Sequence, residues 1–261
     1  MGVLQPSEDR TKDLYLQGGK FYIAFENEDG SVGDYQYLGM TPSATATIET
    51  ETLEHMQTEE MPPSTDMELV TKITATLSAA IDQISAGVIA MFYLGETSEK
   101  AQAAGNLDET LAVKPGHSYF LGGQKIGGLT VASSDDSVTY VEGTDYAADP
   151  EVGLLTILPD GSIGAGDTIH VTGTLPAVSY QVIEGMTRAK IGGKLRFVSD
   201  PISGKRRVWE FHKIQAVPSG DFALKSAEEY AQASFDFKLL KDTSISGSGL
   251  SQMMKVTEIS A

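Results

Sequence analysis

The sequence predicts a mainly β protein with one flanking α-helix and an inserted immunoglobulin-like β module. Three observations predict it. Short runs rich in Val, Ile, Thr, Tyr and Phe recur between clusters of Gly, Asp, Asn and Ser. One stretch, ending near Gly95, carries apolar residues at helical spacing. The segment 111–176 is rich in Gly, Thr, Val and Asp, with short strand signals between turn signals.

The elements follow in chain order. Residues 1–19 are mostly polar and end on Gly18 and Gly19, an expected N-terminal arm. Residues 20–25 and 35–38 are aromatic and β-branched runs that predict a hairpin with Asp29 and Gly30 at its tip. Residues 43–52 alternate small or apolar residues with Thr and Glu, a strand with a polar face. The stretch 54–66 is Met-rich and acidic, contains Pro62 and Pro63, and is expected as a long loop. In 67–77, Met67, Leu69, Ile73, Ala75 and Leu77 alternate with Glu68, Lys72, Thr74 and Thr76, with Val70 out of step. A helix is expected next, with Ser78 as N-cap, Ile81, Ile84, Val88, Ile89, Met91 and Phe92 on its buried stripe, and Gly95 as its stop.

Inside 111–176, strands are expected at 129–132, 138–141, 154–158 and 168–172. After it come 178–183, 194–198, 207–213 and 234–240, with Ser203 and Gly204 in a hairpin loop. Ser226 with Glu229 fits a capping box for one helical turn. The tail is rich in Ser and Gly, an expected second arm. The domain reading is therefore an N-terminal arm at 1–19, a discontinuous β domain at 20–110 and 177–242, an inserted module at 111–176 and a C-terminal arm at 243–261.

Composition removes several function classes. The chain has 261 residues and no cysteine, so disulfides and thiolate metal sites are excluded. It contains no apolar run long enough to span a bilayer, and membrane insertion is not expected. Its start lacks a signal-peptide pattern, which predicts a chain that begins where its gene does, in a cytoplasm. The net charge of −17 argues against ordinary nucleic-acid binding, which rests on Lys and Arg meeting phosphates. That charge is uneven: −14 over 1–110, −6 over 111–176 and +3 over 177–261. Chance composition on solvated faces explains this as well as the sharper reading, in which the basic part of one copy meets the acidic part of another.

No catalytic constellation stands out. His55, His117, His170 and His212 lack ligand spacing, and no nucleophile elbow or phosphate-cradling Gly loop is present. Abundant carboxylates place some pair suitably by chance. No cofactor or metal is expected. Lys205, Arg206 and Arg207, with His212 and Lys213, form the one basic cluster, interleaved by Trp209 and Phe211. It fits a nucleic-acid patch, but strand alternation splits Arg206 from Arg207, which favours a partner-facing salt-bridge edge.

From 184 to 242 the order of residues resembles the C-terminal half of phage major tail tube proteins. Gly192, Gly193, Lys194, Leu195, Arg196 and Phe197 are similar to a strand of that family, followed by a turn at 199–204. The run from Val208 through Trp209, Glu210, Phe211, His212 and Lys213 to Ile214 continues the pattern, as do Pro218, Ser219 and Gly220 and the strand 235–240. Leu38, Gly39, Pro42, the run 48–55 and the helix ending Phe92, Tyr93, Leu94 and Gly95 are also similar. The resemblance covers about residues 20–95 and 177–242; the 111–176 segment departs from the simplest members and is similar to small β modules of phage virion proteins.

The resemblance implies a tail-tube-type β-barrel or sandwich, six copies per ring, and rings stacked into a hollow tube in the virion tail, assembled in the host cytoplasm. It implies that the bore houses the tape-measure protein and passes viral DNA without specific binding. Neighbouring copies, the tape-measure protein, and the tail terminator and distal tail proteins become the implied partners. A bore that lets DNA slide needs a wall that does not grip phosphates, so Glu49, Glu51 and Glu68 are the expected lumen-facing residues. Glu54, Glu59, Glu60 and Asp66, on the acidic loop, and Arg188, Lys205, Arg206, Arg207 and Lys213, in the basic region, are the expected inter-subunit residues. The alternative is a host-surface binding or decoration protein of the virion, with the inserted module as its grip.

Overall fold

In a computed structural model, which describes residues 16–27, 29–59, 61, 62 and 64–259, the protein is mainly β and divides into two compact units. Unit 1 holds residues up to 97 and from 183 onward; unit 2 is Ser98–Val182. The expected insert at 111–176 is flanked on both sides by further residues that belong with it.

In unit 1 the strands are β1 (Leu16–Phe25), β2 (Gln36–Tyr37), β3 (Ser43–Gln57) and β4 (Ser64–Ile81), then helix α1 (Ala86–Phe92). β5 (Glu96–Gln102) leads out of it; unit 2 contains β6 (Gly105–Ala112), β7 (Ser118–Phe120), β8 (Gly127–Ser133), β9 (Tyr146–Asp149), β10 (Leu154–Ile157) and β11 (Thr168–Leu175). The chain returns through β12 (Val178–Glu184), which pairs with β5, to β13 (Ile191–Ser203), β14 (Arg206–Ser219), β15 (Ala233–Leu239) and β16 (Met254–Ile259).

The unit 1 sheet runs in the order β2, β1, β13, β14, β15, β4, β3, and does not close into a barrel. β14 is long enough to hold two partners on one edge. Ile214–Ser219 pairs with β15 and Arg206–Phe211 with β16. One face of the sheet is apolar because alternate residues of each strand point the same way. Ile23, Leu77, Ile81, Leu195, Ile214, Phe235 and Phe237 form its core, and α1 covers them at β14 and β15 through Val88 and Met91. At about 25 cal/mol per Å² of apolar surface, each buried aromatic ring there contributes roughly 2–3 kcal/mol.

Unit 2 is a small sandwich of two three-stranded sheets, β7-β10-β9 and β6-β11-β8, around Val131, Leu155, Ile157, Ile163, Ile169 and Val171. Its one buried carboxylate, Asp145, staples two turns: its oxygens accept the Val141 and Ser162 N–H groups at 2.8 Å each.

Several expectations are corrected. The helix does not begin at Ser78. β4 continues to Ile81 because Ser78, Ala80 and Ile81 pair with Asp236, Ser234 and Ala233, and the Ser78 hydroxyl donates to the Asp236 carboxylate at 2.6 Å. Ser85 is the N-cap, its Oγ accepting from the Val88 N–H at 3.3 Å. The region 54–66 is not a long loop: β3 and β4 pair from Ser43 and Ala80 out to Gln57 and Ser64, with two bulges on the way. Ser226 Oγ does accept the Glu229 N–H at 3.0 Å, but no helical turn follows. The stretch 138–141 makes a single bridge, Ala132 to Thr139, rather than a strand. The expected C-terminal arm contributes β16, and the expected N-terminal arm joins β1 from Leu16; residues 1–15 lie outside the described residues.

Candidate subunit interface

The most exposed secondary structure in the protein is the outer part of the β3–β4 hairpin. All of β3 from Ser43 to Met56 is exposed, as is β4 from Ser64 to Ile73. A ribbon of two strands with solvent on both faces buries too little to be stable alone. This one also carries large apolar side chains: Ile48, Leu53, Met67, Leu69, Val70 and Ile73 are each more than half exposed, and Met61 at the tip is 83% exposed. Contiguous exposed apolar surface on a long unpaired strand edge is a template for association. The outer edge of β3 has no strand partner among the described residues.

Two bulges decide where the charges point. The register slips between Glu51 and Thr52 and between His55 and Met56, so β4 holds one extra residue at each place. The first extra residue is Thr71, whose hydroxyl donates to the Glu51 carbonyl at 3.0 Å. Thr45, Thr47, Glu49 and Glu51 lie opposite Ser78, Thr76, Thr74 and Lys72 on the face away from the core. That face continues across the sheet as Asp236, Glu210 and Arg196, the last two paired at 2.7 Å. Beyond the bulge, Glu68 sits opposite Glu54 on the other face. Glu49 and Glu51 therefore share a face, and Glu68 does not join them. The strict alternation read from sequence put Glu68 with Lys72; the bulge reverses it.

The remaining residues expected at an interface are spread out. Asp66 holds His55 at 2.6 Å, Glu51 holds Lys72 at 2.6 Å, Glu59 is exposed in the turn, and Glu60 lies outside the described residues. The Glu51 carboxylate, by hydrogen bond and then charge, raises the Lys72 ammonium above its ordinary pKa. Glu54 facing Glu68 is a like-charge pair, which costs stability in an isolated hairpin. In the basic region Arg188 pairs with Glu96 at 2.7 Å, Arg207 with Glu258 at 3.0 Å, and Lys213 reaches Glu26 at 4.0 Å. Lys205 also bonds Glu258, and Arg206 donates through Nε to the Ser199 carbonyl at 3.2 Å. These cations are not waiting unpaired. Exposed pairs of this kind contribute only about 0–1 kcal/mol each.

Among the described residues no group of three His, Asp or Glu side chains converges to hold a metal ion. His170 in unit 2 uses both ring nitrogens, Nδ1 on Asp136 at 2.7 Å and Nε2 on Asp108 at 3.0 Å, and those bonds raise its pKa. Sequence reading passed over this cluster because its members lie 34 and 62 residues apart. No helix among the described residues is long and apolar enough to cross a membrane.

Fold and surface thus define a two-unit, mainly β protein whose distinctive feature is an acidic, Met-bearing ribbon whose outer part packs on nothing among the described residues. The chain belongs to the family described as protein of unknown function UCP028589, whose profile matches residues 14–257. No curated protein matches it.

Proposed function

We propose that this protein is a structural subunit that polymerises as stacked rings into a phage tail tube, a reading that rests on the resemblance of residues 20–95 and 177–242 to major tail tube proteins. One observation supports it: among the described residues the outer part of the β3–β4 ribbon has both faces and its outer edge without partners, a state that a polymer relieves. Its apolar side chains supply the association energy, and its carboxylates answer the basic 188–213 region of a neighbour.

The charge on the outward face suits a conduit. A carboxylate about 10 Å from a phosphate in water repels it by only about 0.4 kcal/mol, but the same residues recur in every ring. A wall of that kind adds no counterion-release affinity for DNA at any level. Glu49 and Glu51 are the bore candidates, and the tape-measure protein is the occupant before DNA passes.

Negative-stain electron microscopy of the purified full-length chain tests the reading. Rings or tubes support it. Dispersed monomers or trimers across the accessible concentration range overturn it in favour of a binding or decoration protein. With tubes in hand, Glu49→Lys with Glu51→Lys slows DNA ejection while tubes still form; unchanged ejection removes these residues from the bore.

A further inference from the structure

The β6-β11-β8 sheet of unit 2 turns Leu107, Ile169 and Val171 into the core. Strand alternation therefore puts Asp108 and Thr110 of β6 on its outer face, beside Thr168, His170 and Thr172 of β11. His170 lies between carboxylates from both flanks of the sheet. Asp108 comes from β6, one edge strand, and its Oδ1 is 3.0 Å from Nε2. Asp136 comes from the turn after β8, the other edge strand, and its Oδ1 is 2.7 Å from Nδ1. One imidazole thus ties the sheet from edge to edge.

Ring chemistry limits what this arrangement can hold. An ionised carboxylate only accepts hydrogen bonds, a neutral imidazole has one N–H and one lone pair, and an imidazolium has two N–H groups. Both contacts are hydrogen bonds only while the ring carries two protons. With one proton, a lone pair faces a carboxylate oxygen at close range, and that contact opens. Asp108 and Asp136 are the charged groups that act on the ring. The nearby Asp135 is taken up by the Ser133 and Ser137 hydroxyls, and Glu109 of β6 accepts the Gly122 N–H. Thr110 and Ala132 flank His170 in register.

We infer that His170 is a proton-operated tie across unit 2, holding β6 through Asp108 and the turn after β8 through Asp136, and that on losing a proton it keeps Asp136 and lets Asp108 go. Two observations choose the partner that leaves. The Asp136 contact is the shorter, and its turn is fixed by its own bonds, with the Asp136 N–H donating to the Ser133 carbonyl at 2.9 Å. The Asp108 side chain is 75% exposed, so water takes over its carboxylate at once. Release removes a cross-strand tie from an edge strand and leaves a free carboxylate on the outer face. Both carboxylates raise the ring's pKa above 6.5, which puts the release on the alkaline side of that value. The device lies within unit 2 and goes beyond the assembly reading, standing whether or not the chain polymerises.

Hydrogen–deuterium exchange of the full-length protein, read by mass spectrometry from about pH 5 to about pH 9 and corrected for intrinsic rates, tests it. Protection of peptides covering 105–112 falls about fivefold as pH rises through the histidine midpoint, while those covering 154–157, in the other sheet, keep theirs. His170→Gln and Asp108→Asn make protection of 105–112 independent of pH. Asp136→Asn does the same although Asp108 and His170 remain, because the amide donates to the bare ring nitrogen and leaves the single N–H to Asp108. A merely structural Asp136 would change protection equally at every pH. Wild-type protection of 105–112 that stays constant across the range, or a pH response that survives in any of the three variants, overturns the tie.

Discussion

Unit 2 and the β3–β4 ribbon are both antiparallel β structure, yet they solve the problem of polar backbone and apolar side chains in opposite ways. Unit 2 stacks two sheets so that Leu155, Ile157, Ile169 and Val171 are shut away from water, and its one buried carboxylate takes two N–H groups. The outer part of the ribbon stacks on nothing among the described residues. Leu53 lies directly opposite Leu69, and both are more than half exposed. The lesson is that strand pairing alone does not complete a β structure: a second layer does, and among the described residues the outer part of the ribbon has none.

The largest test of this contrast replaces residues 48–73 by a short turn that joins the remaining β3 and β4. Assembly is lost outright by sedimentation, while the soluble monomer keeps its thermal transition within a few degrees. Next in size is Leu155→Ala, which opens a hole in the closed layer and lowers unit 2 stability by about 2–5 kcal/mol in a denaturant titration. Both changes remove Leu-sized apolar groups from β strands; only the second costs the monomer its stability.

Smaller effects come from pH. The N–H groups of Val141 and Ser162 hold the Asp145 carboxyl below its ordinary value of 3.8. A depressed carboxyl contributes stability that is present above the ordinary pKa and is lost as pH falls through the folded one. Unit 2 therefore melts earlier as pH drops below about 4, and Asp145→Asn removes that dependence while lowering the melting temperature at pH 7. His170 runs the other way. Its pKa is raised by Asp136 and then Asp108, so its contribution is full below 6.5 and is lost as pH rises through the folded value. A histidine NMR titration shows the raised midpoint, and Asp136→Asn brings it back toward 6.5. The smallest effect is Leu53→Ser on the ribbon, which changes monomer stability by no more than about 0.5 kcal/mol because the side chain is already in water. Its effect appears only in assembly.

Much of this arrangement was legible along the chain. Turn residues located the Asp29–Gly30 tip, where Gly30 takes φ 80° and Asp29 accepts both N–H and O–H of Ser31. Apolar and β-branched runs located β1, β3, the inner half of β4, β8, β10, β11 and β12 to β15, whereas β5, β6, β7, β9 and β16 lie outside the expected strands. The errors share a cause. Ser78 reads as a helix cap until β15 arrives to pair with it, 158 residues downstream. The 54–66 stretch reads as a loop because its apolar residues are never buried within the chain, so its pattern carries no core signal. Thr71 is one residue too many for its ladder, and a count of odd and even positions does not see it.

Composition and local pattern were enough to establish a mainly β protein without cysteine, with a flanking helix before Gly95 and a second β module between its halves, because strand alternation and turn chemistry act over a few residues. The face to which Glu68 belongs and the reach of the β3–β4 ribbon were settled by long-range pairing. Those contacts join residues far apart along the chain, and one bulge reverses the side chains between it and the next.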